Sequence, residues 1–143
     1  MPRVFRHRIR VRYGECDPQG VVFNANYLAY FDLVLTEFWR EAAGGYSAMV
    51  DAGTDMVVAE SRILFRSPAA FDDEVDFELR VARLGTTALE CKIDATVDGR
   101  AIVEGAMRHV FIDPVTKEKR PMPDEIRAAL EPYLAADLEP ARG

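Results

Sequence analysis

Apolar and polar residues alternate one by one over several stretches of this chain and crowd together over one. In residues 5–13, Phe5, His7, Ile9, Val11 and Tyr13 fall on one side and Arg6, Arg8, Arg10 and Arg12 on the other. That is the period of a half-buried strand. Residues 56–65 read as a second strand, ending at Ser67-Pro68. In residues 74–84, Val75, Phe77, Leu79 and Val81 alternate with Asp76, Glu78 and Arg80, and Gly85 breaks the run. Residues 87–97 place Leu89, Cys91, Ile93, Ala95 and Val97 on one side. Asp98-Gly99 then supplies a strong two-residue hairpin signal before a long fifth strand, residues 100–112. Within it Gly105 marks a bulge or bend.

The crowded stretch is different. Between Tyr27 and Ala43 there is neither proline nor glycine, while Asn24 or Asn26 can cap its start and Gly44-Gly45 can stop it. A helix over residues 26–43 would be roughly 27 Å long. Tyr27, Leu28, Tyr30, Phe31, Leu33, Val34, Leu35, Phe38 and Trp39 leave it little polar surface. A helix apolar nearly all round is expected to be buried nearly all round. Asp32, Glu37 and Arg40 interrupt it, and it is short for a membrane span. Residues 46–54 read as a polar connection, residues 113–123 as a charged loop, and Pro123-Asp124 as the opening of a short helix with Ile126, Leu130 and Leu134 on one face.

The predicted order is strand, long helix, then four strands in a meander: an α+β chain whose antiparallel five-stranded sheet wraps one buried helix. Residues 1–136 form a single domain in this reading and 137–143 a loose tail. A single curled sheet leaves two open edges, which are liabilities unless another subunit covers them. At least a dimer is expected.

Composition narrows the function. The chain has 143 residues, enough for one domain with a real core, and carries a formal net charge of −6. The acidic balance argues against a nucleic-acid partner. No segment at the start has the apolar core of a signal peptide, so a cytoplasmic protein without a membrane partner is expected. Two cysteines, Cys16 and Cys91, and two histidines, His7 and His109, give no metal-ligand spacing. No phosphate-binding or nucleophile-elbow motif is present, and no metal or redox cofactor is expected.

Asp17 is the sharpest chemical candidate. It sits after a strand and a few residues before a helix start, where unpaired backbone N–H groups and partial positive charge gather. A carboxylate beside such donors is a minimal acyl-transfer site. The donors hold an oxyanion, and the carboxylate attacks a carbonyl or deprotonates a water. A thioester suits so small a kit, because its thiolate leaves without strong acid help. The blander role for Asp17 is an Asp-Pro turn residue whose side chain caps a backbone N–H.

The run Tyr13-Gly-Glu-Cys-Asp17-Pro-Gln-Gly20-Val-Val-Phe-Asn24-Ala-Asn26-Tyr27 resembles the active-site signature of the 4-hydroxybenzoyl-CoA thioesterase family, within the hotdog-fold acyl-CoA thioesterases. The likeness continues through Phe31 and Asp32 and resumes at Arg62-Ile-Leu-Phe65-Arg-Ser-Pro68-Ala-Ala-Phe-Asp72-Asp73. The resemblance implies a hotdog fold, a homodimer or homotetramer, and an acyl-CoA or acyl-carrier-protein thioester lying between subunits. It makes Asp17 the catalytic carboxylate, as nucleophile or general base, and Asn24 the residue whose backbone N–H faces the thioester carbonyl. Gly20 falls where the chain turns closely, with Val21 beside it and Tyr27 lining the acyl side. Some family members carry a basic cluster for the CoA phosphates where this chain has Arg83-Leu-Gly85-Thr86-Thr87, with only Arg83 basic. Phosphate contacts are then assigned to Arg62, Arg66 or Arg83.

Other residues weigh less. Asp32, with Thr36 one turn on, is read as a helper or subunit contact rather than the base. Cys16 is read as packing, Glu15 as a solvated or dimer-contact residue, and His109 as a satisfied strand histidine. The arginine row is read as a solvated face before a phosphate strip or oligomer contact. Two other functions fit the same fold: a hydratase or dehydratase, which wants a histidine–acid pair, and a non-catalytic acyl-thioester binder.

Overall fold

A computed structural model describes residues 1–135; the expected loose tail lies outside the described residues. Five strands form one antiparallel sheet: β1 (Phe5–Arg10), β2 (Asp55–Phe65), β3 (Glu74–Leu84), β4 (Ala88–Val97) and β5 (Arg100–Ile112). The long helix α1 (Asn26–Ala43) follows β1. It is joined by a short α2 (Tyr46–Asp51), and near the end of the described chain α3 (Asp124–Leu130) runs into a 3-10 turn over Glu131–Tyr133.

The sheet order is β1-β3-β4-β5-β2. The strand before the helix does join the sheet, on β3, with Phe5 opposite Leu79 and Ile9 opposite Val75. The four-strand meander needs correction. β3, β4 and β5 form consecutive hairpins, but β2 pairs with the far side of β5, Met56 opposite Phe111 and Ile63 opposite Gly105. The segment after β2 explains the crossing. Ala69 accepts the Val22 N–H, 2.9 Å, and Ala70 bridges Val21, so this segment packs on the loop ahead of α1 and does not fold back as a hairpin.

Alternation becomes packing as expected in β3 and β4, whose inward rows Val75, Phe77, Leu79, Val81 and Leu89, Cys91, Ile93, Ala95 are buried. Those rows meet Phe31, Val34, Leu35, Phe38 and Trp39 of α1 in one apolar cluster. The helix is nevertheless not buried all round: Leu28 and Leu33 are 42% and 38% exposed, and Asp32 and Thr36 also face out. A sheet of five strands covers one side of a helix, and the other flank is left open.

Three local expectations change. Gly105 is not a bulge, because its pairing runs straight between Ile93 and Ile63. The irregularities lie instead at Val58/Glu60, Val81/Arg83 and Ala95/Thr96. The polar connection contains α2, anchored by buried Met49. The first strand stops at Arg10, and Tyr13, expected inward, is 80% exposed with its ring edge-on to Phe71. Glu15 causes the early stop: its carboxylate takes the Arg12 N–H at 2.8 Å and folds residues 13–15 into a single 3-10 turn.

Candidate active site

The segment between β1 and α1 is a small hairpin. Phe23 donates its N–H to the Glu15 carbonyl at 3.0 Å, Asp17 donates to the Val21 carbonyl at 2.9 Å, and Cys16 bridges Val22 between them. Pro18, Gln19 and Gly20 close the loop, and the Gly20 N–H returns to the Asp17 carbonyl at 2.9 Å. Gly20 has φ +80, the left-handed region that glycine accepts without strain. The Asp17 side chain is half-buried, and its Oδ1 accepts the Gln19 N–H at 2.8 Å. The turn-capping role read from the sequence is therefore real, but it occupies one carboxylate oxygen. Among the described residues, Oδ2 has no hydrogen-bond partner.

Three residues past the Asp17–Val21 rung the chain reaches Asn24, at most about 10 Å of extended backbone. Asn26 and Tyr27 send their N–H groups back to the Phe23 and Asn24 carbonyls, 2.9 and 3.3 Å, and begin α1. The Asn24 N–H meets no acceptor among the described residues. It sits where the helix dipole is positive, so a carbonyl oxygen placed there gains both a donor and a favourable field.

Beside Asn24 opens a cleft of about 260 Å³ lined by Val22, Asn24, Tyr27, Phe65, Arg66, Ser67 and Pro68. Its floor is apolar: Tyr27 is buried and packs edge-on against Phe65 and Tyr30, 5.9 and 5.8 Å between centroids. Burial raises the Tyr27 hydroxyl pKa, which keeps the phenol neutral. Tyr27, Asn24 and Arg66 are thus brought together, with Asp17, Gly20 and Val21 on the adjoining hairpin.

Arg62 and Arg83 lie elsewhere. Strand parity puts both on the face of the sheet turned away from α1, where they line a depression of about 290 Å³ with Glu60, Glu90, Lys92 and Arg108. Arg66 stays on the cleft rim and is ion-paired with Glu104. The arginine row of β1 faces the acids of β3: Arg6–Glu78 at 2.9 Å, Arg8–Asp76 at 2.7 Å and Arg8–Glu74 at 2.9 Å. Within the single chain these pairs are largely exposed, so each adds little to stability.

Glu15 is the residue that sequence reasoning misplaced. Its side chain is only 15% exposed and accepts three hydrogen bonds from Arg12 and one from the Tyr30 hydroxyl at 2.9 Å. Burial pushes the Glu15 carboxyl pKa up, but those bonds outweigh it and the net shift is downward. The Tyr30 phenol is pushed well up, first by burial and then by the Glu15 carboxylate that accepts its hydrogen bond. The available signal was the Arg12–Glu15 spacing of three residues; Tyr30 lies 15 positions away. His109 is buried, but its Nδ1 has no partner among the described residues, against the expectation of a satisfied histidine. Burial lowers its pKa and the charge of Asp32 opposes the shift. Cys16 packs on the core as expected, its Sγ 3.8 Å from the Arg12 carbonyl. Among the described residues no helix is long and apolar enough to cross a membrane.

A five-stranded antiparallel sheet wrapped on one long helix, with a carboxylate hairpin at the N-terminus of that helix, defines the hotdog class of thioester enzymes. The sequence model of the thioesterase-like superfamily matches residues 11–130. The acyl-CoA thioester hydrolase YbgC of Escherichia coli is 25% identical over 126 residues, 87% of this chain and 94% of the relative. A 1,4-dihydroxy-2-naphthoyl-CoA hydrolase of Nostoc punctiforme is 28% identical over 132 residues, 89% of this chain and 86% of the relative. A crystal structure from Jannaschia sp. CCS1, of the thioesterase superfamily, superposes with a TM-score of 0.87 at 26% identity, covering 93% of this chain and 94% of that one. The chain belongs to the thioesterase-like superfamily and is in class a hotdog-fold thioester hydrolase.

Proposed function

We propose that this chain hydrolyses acyl-CoA thioesters, with Asp17 as the reacting carboxylate and the Asn24 backbone N–H as the oxyanion donor. The observation that carries this reading is the hairpin: it leaves Asp17 Oδ2 and the Asn24 N–H, both unpartnered among the described residues, on the two limbs of one turn beside an apolar cleft. The thioester carbonyl oxygen lies against Asn24. Asp17 either adds to the carbonyl carbon, giving an anhydride that water then opens, or takes a proton from the water that adds directly. In both routes a C–O bond replaces the C–S bond, and the thiolate leaves and is protonated by solvent. The cleft formed with Tyr27 and Phe65 receives the acyl group, and Arg66, on its rim, is the cation for the pantetheine or phosphate side. Two copies paired along β2, whose Val57, Val58 and Phe65 are exposed, would close the cleft; a dimer, alone or doubled into a tetramer, is the assembly we propose.

The test is hydrolysis of short and long aliphatic, benzoyl, hydroxybenzoyl, phenylacetyl and 1,4-dihydroxy-2-naphthoyl CoA thioesters, together with an acyl-carrier-protein thioester, by wild type and Asp17→Asn. The naphthoyl substrate is included because the Nostoc punctiforme relative bears that activity in its name. Wild type is expected to turn over at least one acyl-CoA, and Asp17→Asn to lose about 10²- to 10⁴-fold in kcat with little change in binding. Hydrolysis confined to the carrier-protein thioester moves the donor assignment. No turnover on any substrate overturns the enzyme reading in favour of a binder.

A further inference from the structure

We propose that Glu15 is a positioning residue for thioester hydrolysis: it clamps the limb that bears Asp17 to the first two turns of α1, and so sets the carboxylate against the Asn24 N–H. The inference rests on the assignment of Asp17 and Asn24 above and adds a group that touches neither substrate nor the reacting atoms. Glu15 reaches both limbs of the hairpin and the start of α1. Its carbonyl oxygen takes the Phe23 N–H at 3.0 Å, one residue before Asn24, and the Asn26 side-chain amide at 2.8 Å in the first turn of α1. Its carboxylate divides its work. Oε1 accepts the Arg12 N–H at 2.8 Å and the Tyr30 hydroxyl at 2.9 Å, one turn further along α1. Oε2 accepts Arg12 Nε and Nη2 at 3.0 and 2.7 Å.

Charge and burial make this clamp hard to replace. Tyr30 is 3% exposed, so its hydroxyl has no solvent to turn to if Glu15 lets go, and a buried donor left unpaired destabilises the fold. Both carboxylate oxygens receive donors only. Glutamine has the same shape but one oxygen, and its NH₂ end must face either the Arg12 guanidinium or the Tyr30 and Arg12 N–H donors. Either orientation opposes donor to donor, and relief comes by moving residues 13–17 away from α1. A shift of about 1 Å in a reacting group is enough to cost about 10²-fold in rate.

The experiment compares Glu15→Gln, Tyr30→Phe, the double variant and Asp17→Asn on the best acyl-CoA substrate, with the folded fraction of each measured by thermal melting. Glu15→Gln is expected to lose about 10- to 100-fold in kcat with KM within about threefold, in protein that remains folded at the assay temperature. Tyr30→Phe is expected to lose less, and the double variant to lose less than the product of the two single losses, because both act through one contact. A wild-type kcat in Glu15→Gln, a loss matched by an equal fall in folded protein, or fully multiplicative losses would each overturn the positioning role. Asp17→Asn keeps the two readings apart. If it turns over as wild type, the Asp17 assignment falls; if Glu15→Gln is then inactive, Glu15 is itself the acid and the positioning role falls too.

Discussion

Placing a single methyl at Gly105 tests whether the helix is seated on the sheet as described. A Cβ built there would lie well inside contact distance of two ring carbons of Phe31 and 2.9 Å from the Ile93 carbonyl oxygen. Two effects compete in Gly105→Ala. Replacing a strand-interior glycine removes backbone freedom from the unfolded chain and is worth about 0.5–1 kcal/mol in favour of the variant. Against it, Phe31 is fully buried and edge-on to Phe77 at 6.3 Å, so its ring has nowhere to go, and the Ile93 oxygen belongs to the β4–β5 ladder. Overpacking of this kind costs about 1–3 kcal/mol and more where backbone must move. Overpacking wins, and the net loss is expected near about 2 kcal/mol, a fall in Tm of roughly 6 °C for a chain of this size. Thermal denaturation followed by circular dichroism measures it, with Phe31→Leu and the double variant alongside. Phe31→Leu vacates the space the methyl needs, so the double variant should be more stable than the two losses added together. A Gly105→Ala protein as stable as wild type, or strict additivity in the cycle, would refute the contact between Phe31 and Gly105 and with it the height of α1 over β5.

Gly20→Ala meets no neighbour within 4 Å, yet forces a side chain onto φ +80, a strain of about 1–2 kcal/mol; kcat for acyl-CoA hydrolysis is expected to fall about tenfold, because the loop that carries Asp17 relaxes, while the Tm falls by only a few degrees. His109 gives a pH signature. Burial lowers its folded pKa below the ordinary 6.5, so below that value the unfolded chain binds the more protons. The stability this histidine contributes is full above 6.5 and is lost as pH falls toward the folded value. Melting curves between pH 7.5 and 5 should show that slope in wild type and a flatter one in His109→Leu; equal slopes would remove His109 as its source. Glu15 and Glu104 are carboxyls with lowered pKa values and act in the more acidic range, clear of this window.

The parts of the fold legible in the sequence are those in which a side chain's fate depends on its near neighbours. β3 begins and ends where alternation does, β5 begins right after the Asp98-Gly99 turn signal, and α1 spans the residues between its asparagine and glycine punctuation. What the pattern does not carry is which strand lies beside which. β2 has the weakest alternation of burial, with residues 57–62 all exposed on its single-sided edge position. Nothing local distinguishes a hairpin into β3 from a crossing to β5. The decision is made by residues 69–70, which bind the loop ahead of α1, a contact between segments nearly 50 positions apart. α2 was missed for a related reason: six residues with one buried anchor have no period to read.

The candidate site divides along the same line. Asp17, as a turn residue beside a helix start, can be reasoned out from propensities alone, whereas Gly20 and Asn24 enter the site through the resemblance to thioesterases. Glu15 could not be, because an exposed-looking acid becomes a clamp only when Tyr30, 15 positions away in sequence but adjacent in space, supplies its donor. The arginines are a different case. Arg62 and Arg83 looked suitable for phosphates because of where they fall in the likeness to thioesterases, but parity within a strand overrides that position. Arg62 stands opposite Ala106 and Arg83 opposite Glu90, on rows that point away from α1. A ligand whose carbonyl rests on Asn24 lies on the helix side of the sheet, so within one chain neither cation reaches it without passing round an edge. Arg66, past the end of β2 and on the rim of the Asn24 cleft, is not bound by that parity. Its pairing with Glu104 holds it there, and an incoming phosphate must compete with a carboxylate for it. On the proposed reading, that competition weakens anion binding by Arg66, and the acyl side, Tyr27 and Phe65, supplies more of the affinity.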